Sequence, residues 1–285
     1  MRKPGAIEKE AVQIGTVRDL TSVFESLAST QVAKVKNKTA LSNQFFHLLW
    51  QRYSSLRADP SSQITNRNIG ENNKKVFIVI SAEGGLSGDI DQRLIETMAQ
   101  DYDPKTTDVV VLGSHGASQL HQRGIPYVRA FKVPESDHYI NVAPVINAVA
   151  SYAQIIVYYE EYISLSEQVI KSIDLASTMK QMSEDADQDT MTNDDTIFEP
   201  SLDEIADQME ITMMHLALSQ SILESSLAQA ASRFNAMAVA KKRAGELLDG
   251  YMLEFHRAKR GESDRRMREV MVSLKKKQRS RKAAQ

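Results

Sequence analysis

Residue types able to do chemistry are present in this chain, but their spacing assembles no reaction centre. The six histidines, His47, His115, His121, His138, His215 and His256, are scattered. Only His115 and His121 are near each other, and their spacing fits no common zinc pattern. There is no cysteine, which excludes disulfides, thiolate metal sites and cysteine nucleophiles. Gly84-Gly85-Leu86-Ser87-Gly88 follows a strand-like run and precedes a helix-like one, the position at which a phosphate sits on a helix N-terminus. A phosphate loop ends in Gly-Lys-Ser/Thr, however, and here Asp89 would repel the anion, so the stretch reads as a structural turn. Residues 178–197 carry Glu184, Asp185, Asp187, Asp189, Asp194 and Asp195 but lack the glycine and distal glutamate of a calcium loop. They read as a solvated acidic loop. No catalytic residue, metal or cofactor is expected.

The C-terminal end is strongly basic. From Arg257 to Lys282 there are twelve Lys and Arg residues against Glu262, Asp264 and Glu269. Such a tail suits an anionic partner, whether nucleic acid, membrane surface or a negatively charged protein ring. It lacks the interleaved aromatics of single-strand binding.

The element that carries this tail dominates the chain. No proline occurs between Ser201 and Gln285, and Glu199-Pro200 followed by Ser201 and Glu204 gives a capping box at the start. Leu227, Ala230, Phe234, Met237, Lys241, Ala244, Leu248, Tyr251 and Phe255 step by three and four, a heptad seam with one lysine in an apolar slot. About 75 residues at about 1.5 Å each make a rod of roughly 110 Å, which needs a partner. The first segment offers one. Pro4 suits a first helical turn, and Ile7, Ala11, Ile14, Val17, Thr21, Phe24 and Ala28 repeat the stepping until Asp59-Pro60 ends it.

Between the rods, residues 58–74 are polar and read as a linker. Strands are expected at 76–80, 108–113, 127–131, 155–159 and 167–173, with helices through Leu94 and Met98, at 118–122 and at 141–153. Strands alternating with helices imply a mostly parallel sheet, with the last strand pair a possible hairpin. The expected fold is therefore α/β plus a long α-helical coiled coil. The terminal helices pair antiparallel, and a Rossmann-like domain is inserted between them. The expected divisions are 1–58 for the N-terminal helix, 59–75 for the linker and 76–176 for the α/β domain, then 177–198 for the acidic loop and 199–285 for the C-terminal helix and tail. The 285 residues are 42% hydrophobic with net charge −2, enough for a sizeable core. No run of about 18 apolar residues predicts a membrane span, and the N-terminus lacks a signal-peptide pattern.

This layout resembles the gamma subunit of rotary F-type ATP synthases, as a divergent member. Ser232-Arg233-Phe234-Asn235-Ala236-Met237-Ala238-Val239-Ala240 is similar to the family's (S/A)-R-M-x-A-M-x-x-A. Tyr251 to Arg260 resembles the L-x-L-x-Y-N-(R/K)-x-R-Q that follows. The run from Val79 to Gly88 resembles the family's strand and (D/E)-R-G-L turn, Leu112 to Gly116 its I-G-x-K-G, and Phe198-Glu199-Pro200 its (Y/F)-E-P. Leu20 to Glu25 resembles I-T-K-A-M-E. The order is preserved over most of the chain. Departures are basic: Lys241-Lys242-Arg243-Ala244 stands in the family's T-x-N-A slot, and Asp264-Arg265-Arg266 falls where the family has T-x-E. Asp19 replaces a usual lysine.

The resemblance implies a non-catalytic shaft that couples ion-driven rotation to conformational change in a catalytic ring. It implies a hetero-oligomer whose partners are the catalytic and non-catalytic ring subunits, a small epsilon-type companion and the membrane rotor ring. The location implied is the cytoplasmic face of the cell membrane, or its organellar equivalent, as a peripheral part of the complex. Thr21, Phe24 and Glu25 on one helix and Arg233, Met237, Lys241, Lys259 and Arg260 on the other are the expected ring-facing or seam residues. The rival readings are a rotor for an F-type-like ATPase with another task, and a coiled-coil adaptor that binds nucleic acid through its tail. Nucleic acid is not the expected partner.

Overall fold

The computed structural model describes residues 2–57, 72–133, 140–175 and 202–283. The acidic loop, most of the expected linker and the Ser201 cap lie outside the described residues. The elements run α1 (Pro4–Arg57), β1 (Asn72–Ile80), α2 (Ile90–Asp101), β2 (Thr107–Leu112), α3 (Ser114–Gln122), β3 (Arg129–Phe131), α4 (Ala143–Val149), β4 (Tyr152–Tyr162), β5 (Gln168–Asp174) and α5 (Leu202–Ala283). They form two compact units. Residues 1–26 and 237–285 make one, and residues 27–236 make the other.

The larger unit is built on a five-stranded sheet ordered β3-β2-β1-β4-β5. β1 lies at the centre and pairs in parallel with β2 and with β4, while β2 pairs in parallel with β3. β4 and β5 form an antiparallel hairpin, from Ile156 opposite Asp174 to Tyr162 opposite Gln168. The apolar run of β1 is continuous because both faces are covered. Val76, Ile78 and Ile80 point into a core shared with Val145, Ile146 and Val149 of α4 and with Leu218 and Ile222 of α5. Phe77 and Val79 point the other way, onto Leu94, Ile95 and Met98 of α2 and Leu120 of α3.

Several boundaries differ from the sequence expectation, and two of them have a clear local reason. β1 begins at Asn72, inside the stretch read as linker. Its polar start is held laterally: Lys74 Nζ reaches Asp108 Oδ1 at 3.2 Å, and the Tyr152 hydroxyl donates to Asp108 Oδ2 at 2.9 Å. The helix expected at 141–153 stops at Val149, and Tyr152 opens β4, where cross-strand pairing with β1 outweighs helical continuation.

The turn from β2 into α3 explains the glycines of Leu112-Gly113-Ser114-His115-Gly116. The Ser81 hydroxyl at the end of β1 donates to Leu112 O at 2.8 Å and accepts from Gly116 N–H at 3.0 Å. Gly113 has φ +100°, and a Cβ on either glycine would collide with Ser81. Only bare backbone fits this approach.

Candidate functional site

Residues 4–26 of α1 and 237–283 of α5 form a paired-helix unit. Glu25, late in the first segment, meets Lys241, early in the second, as antiparallel helices require: Lys241 Nζ to Glu25 Oε2 is 2.8 Å. On α5 the stepped positions are the covered ones. Met237 and Ala244 are buried, and Lys241, Leu248, Tyr251 and Phe255 are half-buried. The lysine in an apolar slot is thereby explained. Its stem occupies the seam and its ammonium is neutralised by Glu25. The pair is partly solvated, so its contribution is on the order of 0.2–1 kcal/mol.

On α1 the stripe is displaced. Ile7, Ala11, Thr21 and Ala28 are buried and Ile14 and Glu25 half-buried, but Val17 and Phe24 face solvent, Phe24 at 38% exposure. The step after Thr21 goes to Glu25 rather than to Phe24, because Glu25 is drawn to Lys241. Thr21 also satisfies its hydroxyl within the helix by donating to Arg18 O at 2.8 Å.

The outward surface of this unit is both apolar and cationic. Val239, Leu247, Met252 and Leu253 are exposed, as are Lys242, Arg243, Lys259 and Arg260. Lys259 Nζ lies 5.7 Å from the Phe255 ring centre. From Glu262 to Lys276 every residue is exposed, including Met267, Val270 and Met271. This stretch is supported by its own pairs, Arg266–Glu262 at 2.7 Å and Arg265–Glu269 at 3.0 Å. Exposed apolar side chains here lie among charges of both signs, with the basic ones in excess.

Arg233 belongs to the other unit. It is half-buried there and donates to Ser87 Oγ at 2.9 Å, in the glycine-rich turn after β1. Burial lowers its pKa, and the nearby Asp91 charge opposes that shift. Ser232 donates to Ser87 O at 2.6 Å. The turn that was a candidate phosphate cradle is therefore closed by α5. The Glu83 carboxylate is used likewise, accepting from Ser114 N–H at 3.3 Å and Val133 N–H at 2.5 Å.

A polar cluster escaped the reading of the sequence. Asp91 is buried, accepts from Ala82 N–H at 2.9 Å and lies 2.8 Å from His115 Nδ1. Glu160, at the end of β4, is fully buried against Ser225 and Gln229 of α5. The signal was present. Leu218, Ile222, Ser225, Gln229 and Ser232 step by four and three, a second stripe whose later members are polar. Polar residues on a buried stripe demand polar partners. Among the described residues, no group of three His, Asp or Glu is placed to hold a metal, and no helix is long and apolar enough to cross a membrane.

The chain thus encodes a mixed sheet between two long helices whose outer segments pair with each other, and the comparisons identify that architecture. A family model described as ATP synthase matches residues 5–271. The chain belongs to the ATP synthase family. It is 22% identical over 276 residues to an ATP synthase gamma chain of Clostridium beijerinckii, covering 93% of this chain and 95% of that one. It is 24% identical over 276 residues to the gamma chain of Chlorobium limicola, covering 91% and 93%. In fold it is similar to a chain of the Euglena gracilis mitochondrial ATP synthase rotor, with TM-score 0.62, 14% identity and coverage of 90% and 98%. A central-stalk chain of the Tetrahymena thermophila mitochondrial enzyme gives TM-score 0.57 at 17% identity, covering 78% and 99%.

Proposed function

We propose that this chain is the central shaft of a rotary ATP synthase or ATPase, a non-catalytic subunit that turns inside a ring of catalytic and non-catalytic subunits. The observation that carries this reading is the paired-helix unit, whose seam is closed by Glu25–Lys241 while its outer surface is left apolar and cationic. A shaft couples sites by making different contacts with each ring state, so its asymmetry biases each catalytic subunit toward binding, chemistry or release. That role needs a stiff pair of helices and an external contact set, and it needs no reactive group. The inserted sheet domain would meet the epsilon-type companion and the membrane rotor ring. The location proposed is the cytoplasmic face of the membrane, as a peripheral part of the complex.

In this assignment Thr21, Glu25, Met237 and Lys241 hold the seam. Phe24, Lys259 and Arg260 face the ring, and Arg233 fixes α5 to the glycine-rich turn. The divisions 1–58, 59–75, 76–176, 177–198 and 199–285 remain the proposed organisation, with β1 extending back into the second.

The test is affinity purification of the tagged chain from its own cells in mild detergent, with mass spectrometry of the co-purifying chains and an ATPase assay. Two large phosphate-loop subunits and ATPase activity are expected, with membrane-sector chains in the same pool. Recovery of nucleic-acid machinery instead would overturn the assignment.

A further inference from the structure

In an open parallel sheet a crevice forms outside the carboxyl ends of the strands where strand order reverses, and here that reversal lies between β1 and β4. In many sheets of this kind a ligand fills the crevice. In this chain the crevice is filled by α5, and the contact is made by a buried acid. We propose that Glu160 is held as a neutral carboxylic acid whose proton pins α5 to the sheet, and that loss of this proton loosens the joint.

The hydrogen bonds argue for the proton. Ser225 Oγ lies within reach of both the Glu160 Oε2 oxygen and Ile80 O, the latter at 3.4 Å. A hydroxyl has one hydrogen and cannot donate to both acceptors. If Glu160 Oε2 carries a proton, it donates to Ser225 Oγ, and Ser225 donates onward to Ile80 O. Gln229 Nε2 completes the set, 3.2 Å from Glu160 Oε2 and 2.9 Å from Ser225 Oγ. The other oxygen, Glu160 Oε1, is buried with no hydrogen-bond partner among the described residues, a costly position for an anion and a mild one for an acid carbonyl.

The charged surroundings agree. From α2, the buried Asp91 faces the site and is itself served by Ala82 N–H and by His115 of α3. From α5, the Arg233 guanidinium donates to Ser87, and Glu224, one residue before Ser225, is also pushed up by burial. Glu161, next on β4, is paired with Lys171 of β5 at 2.7 Å, and Glu83 at the end of β1 is spent on the start of α3. Among the described residues no cation pairs with Glu160. Burial first, then the Asp91 charge, raises its carboxyl to about 8.

The sign follows. The folded chain holds this proton up to about pH 8, whereas the unfolded chain gives it up near 4.5, the ordinary glutamate value. Stability from the neutral acid is complete below that lower value, falls as pH rises toward about 8, and is flat beyond.

The test uses the full chain with glutamate labelled at the side-chain carboxyl carbon. One carboxyl resonance, absent in Glu160→Gln, is expected to titrate near pH 8, and Ser225→Ala, which removes a donor to the ionised form, should move that midpoint upward. The urea midpoint of the native chain should fall between pH 5.5 and pH 8.5 by more than that of Glu160→Gln, which keeps every other side chain unchanged. Should Glu160→Gln fail to fold, the Ser225→Ala shift still decides. Titration of every glutamate carbon in the ordinary carboxylate range, or equal pH slopes in the two chains, would overturn the proposal. Neither result bears on the shaft assignment, which rests on the other unit.

Discussion

The two units solve the problem of stability in opposite ways. The sheet unit buries β1 on both faces and gives almost every interior polar group a named partner: Ser81 takes Leu112 and Gly116, Asp91 takes Ala82 and His115, and Asp108 takes Lys74 and Tyr152. The paired-helix unit has one narrow stripe, largely of small residues on α1, and leaves Val239, Leu253 and Phe24 in solvent. A unit that spends its apolar residues inward finds its cohesion within itself. One that leaves them outside is shaped for what surrounds it.

That contrast can be broken by substitution. Phe77→Ala, which empties a site packed 5.0 Å from the Tyr158 ring, should cost about 3–5 kcal/mol in denaturant titration. A small loss would mean that the sheet core is looser than its burial implies. Met237→Asp should cost about 2–3 kcal/mol by placing an unpaired charge on the seam, with the loss concentrated in helix signal. An unchanged melting temperature would remove Met237 from the seam. Gly116→Ala, which drives a methyl into Ser81, should cost about 1–3 kcal/mol, again read from the urea midpoint. A double-mutant cycle on Glu25→Gln and Lys241→Met should give a coupling of about 0.2–1 kcal/mol that shrinks in high salt. Smallest in stability is Lys259→Glu with Arg260→Glu, within about 0.5 kcal/mol of the parent. Its effect should appear as lost coupling between ATP hydrolysis and ion transport in the assembled complex. Intact coupling would take these two residues off the ring-facing surface.

The strand positions, the mostly parallel sheet and the stepping along α5 were legible because each shows as a local pattern. The continuous apolar run of β1 and the heptads of α5 survive in any context that buries them. The α1 stripe was misread at Phe24 because a stepping rule cannot weigh a phenyl ring against a charge drawn to Lys241. The Glu160 site was invisible for a different reason. Glu160 sits at the end of Ile155-Ile156-Val157-Tyr158-Tyr159 and looks like a strand emerging into water. Its burial depends on Ser225 and Gln229, more than sixty positions away. Arg233 was recognised from a motif, but the partner that motif serves, Ser87, is a matter of tertiary packing.

The helix pair also sets a schedule for the cell that makes it. Residues 1–26 have their partner in residues 237–285, so 210 residues separate the end of one from the start of the other. At roughly 5–20 residues per second of synthesis, the first helix waits on the order of ten to forty seconds for its mate. Its stripe of Ile7, Ala11, Ile14 and Thr21 is weakly apolar for a coiled-coil strand. A strand that must wait in water while the sheet domain is translated is safer from aggregation if it is not very sticky, and the mild seam gives it that patience.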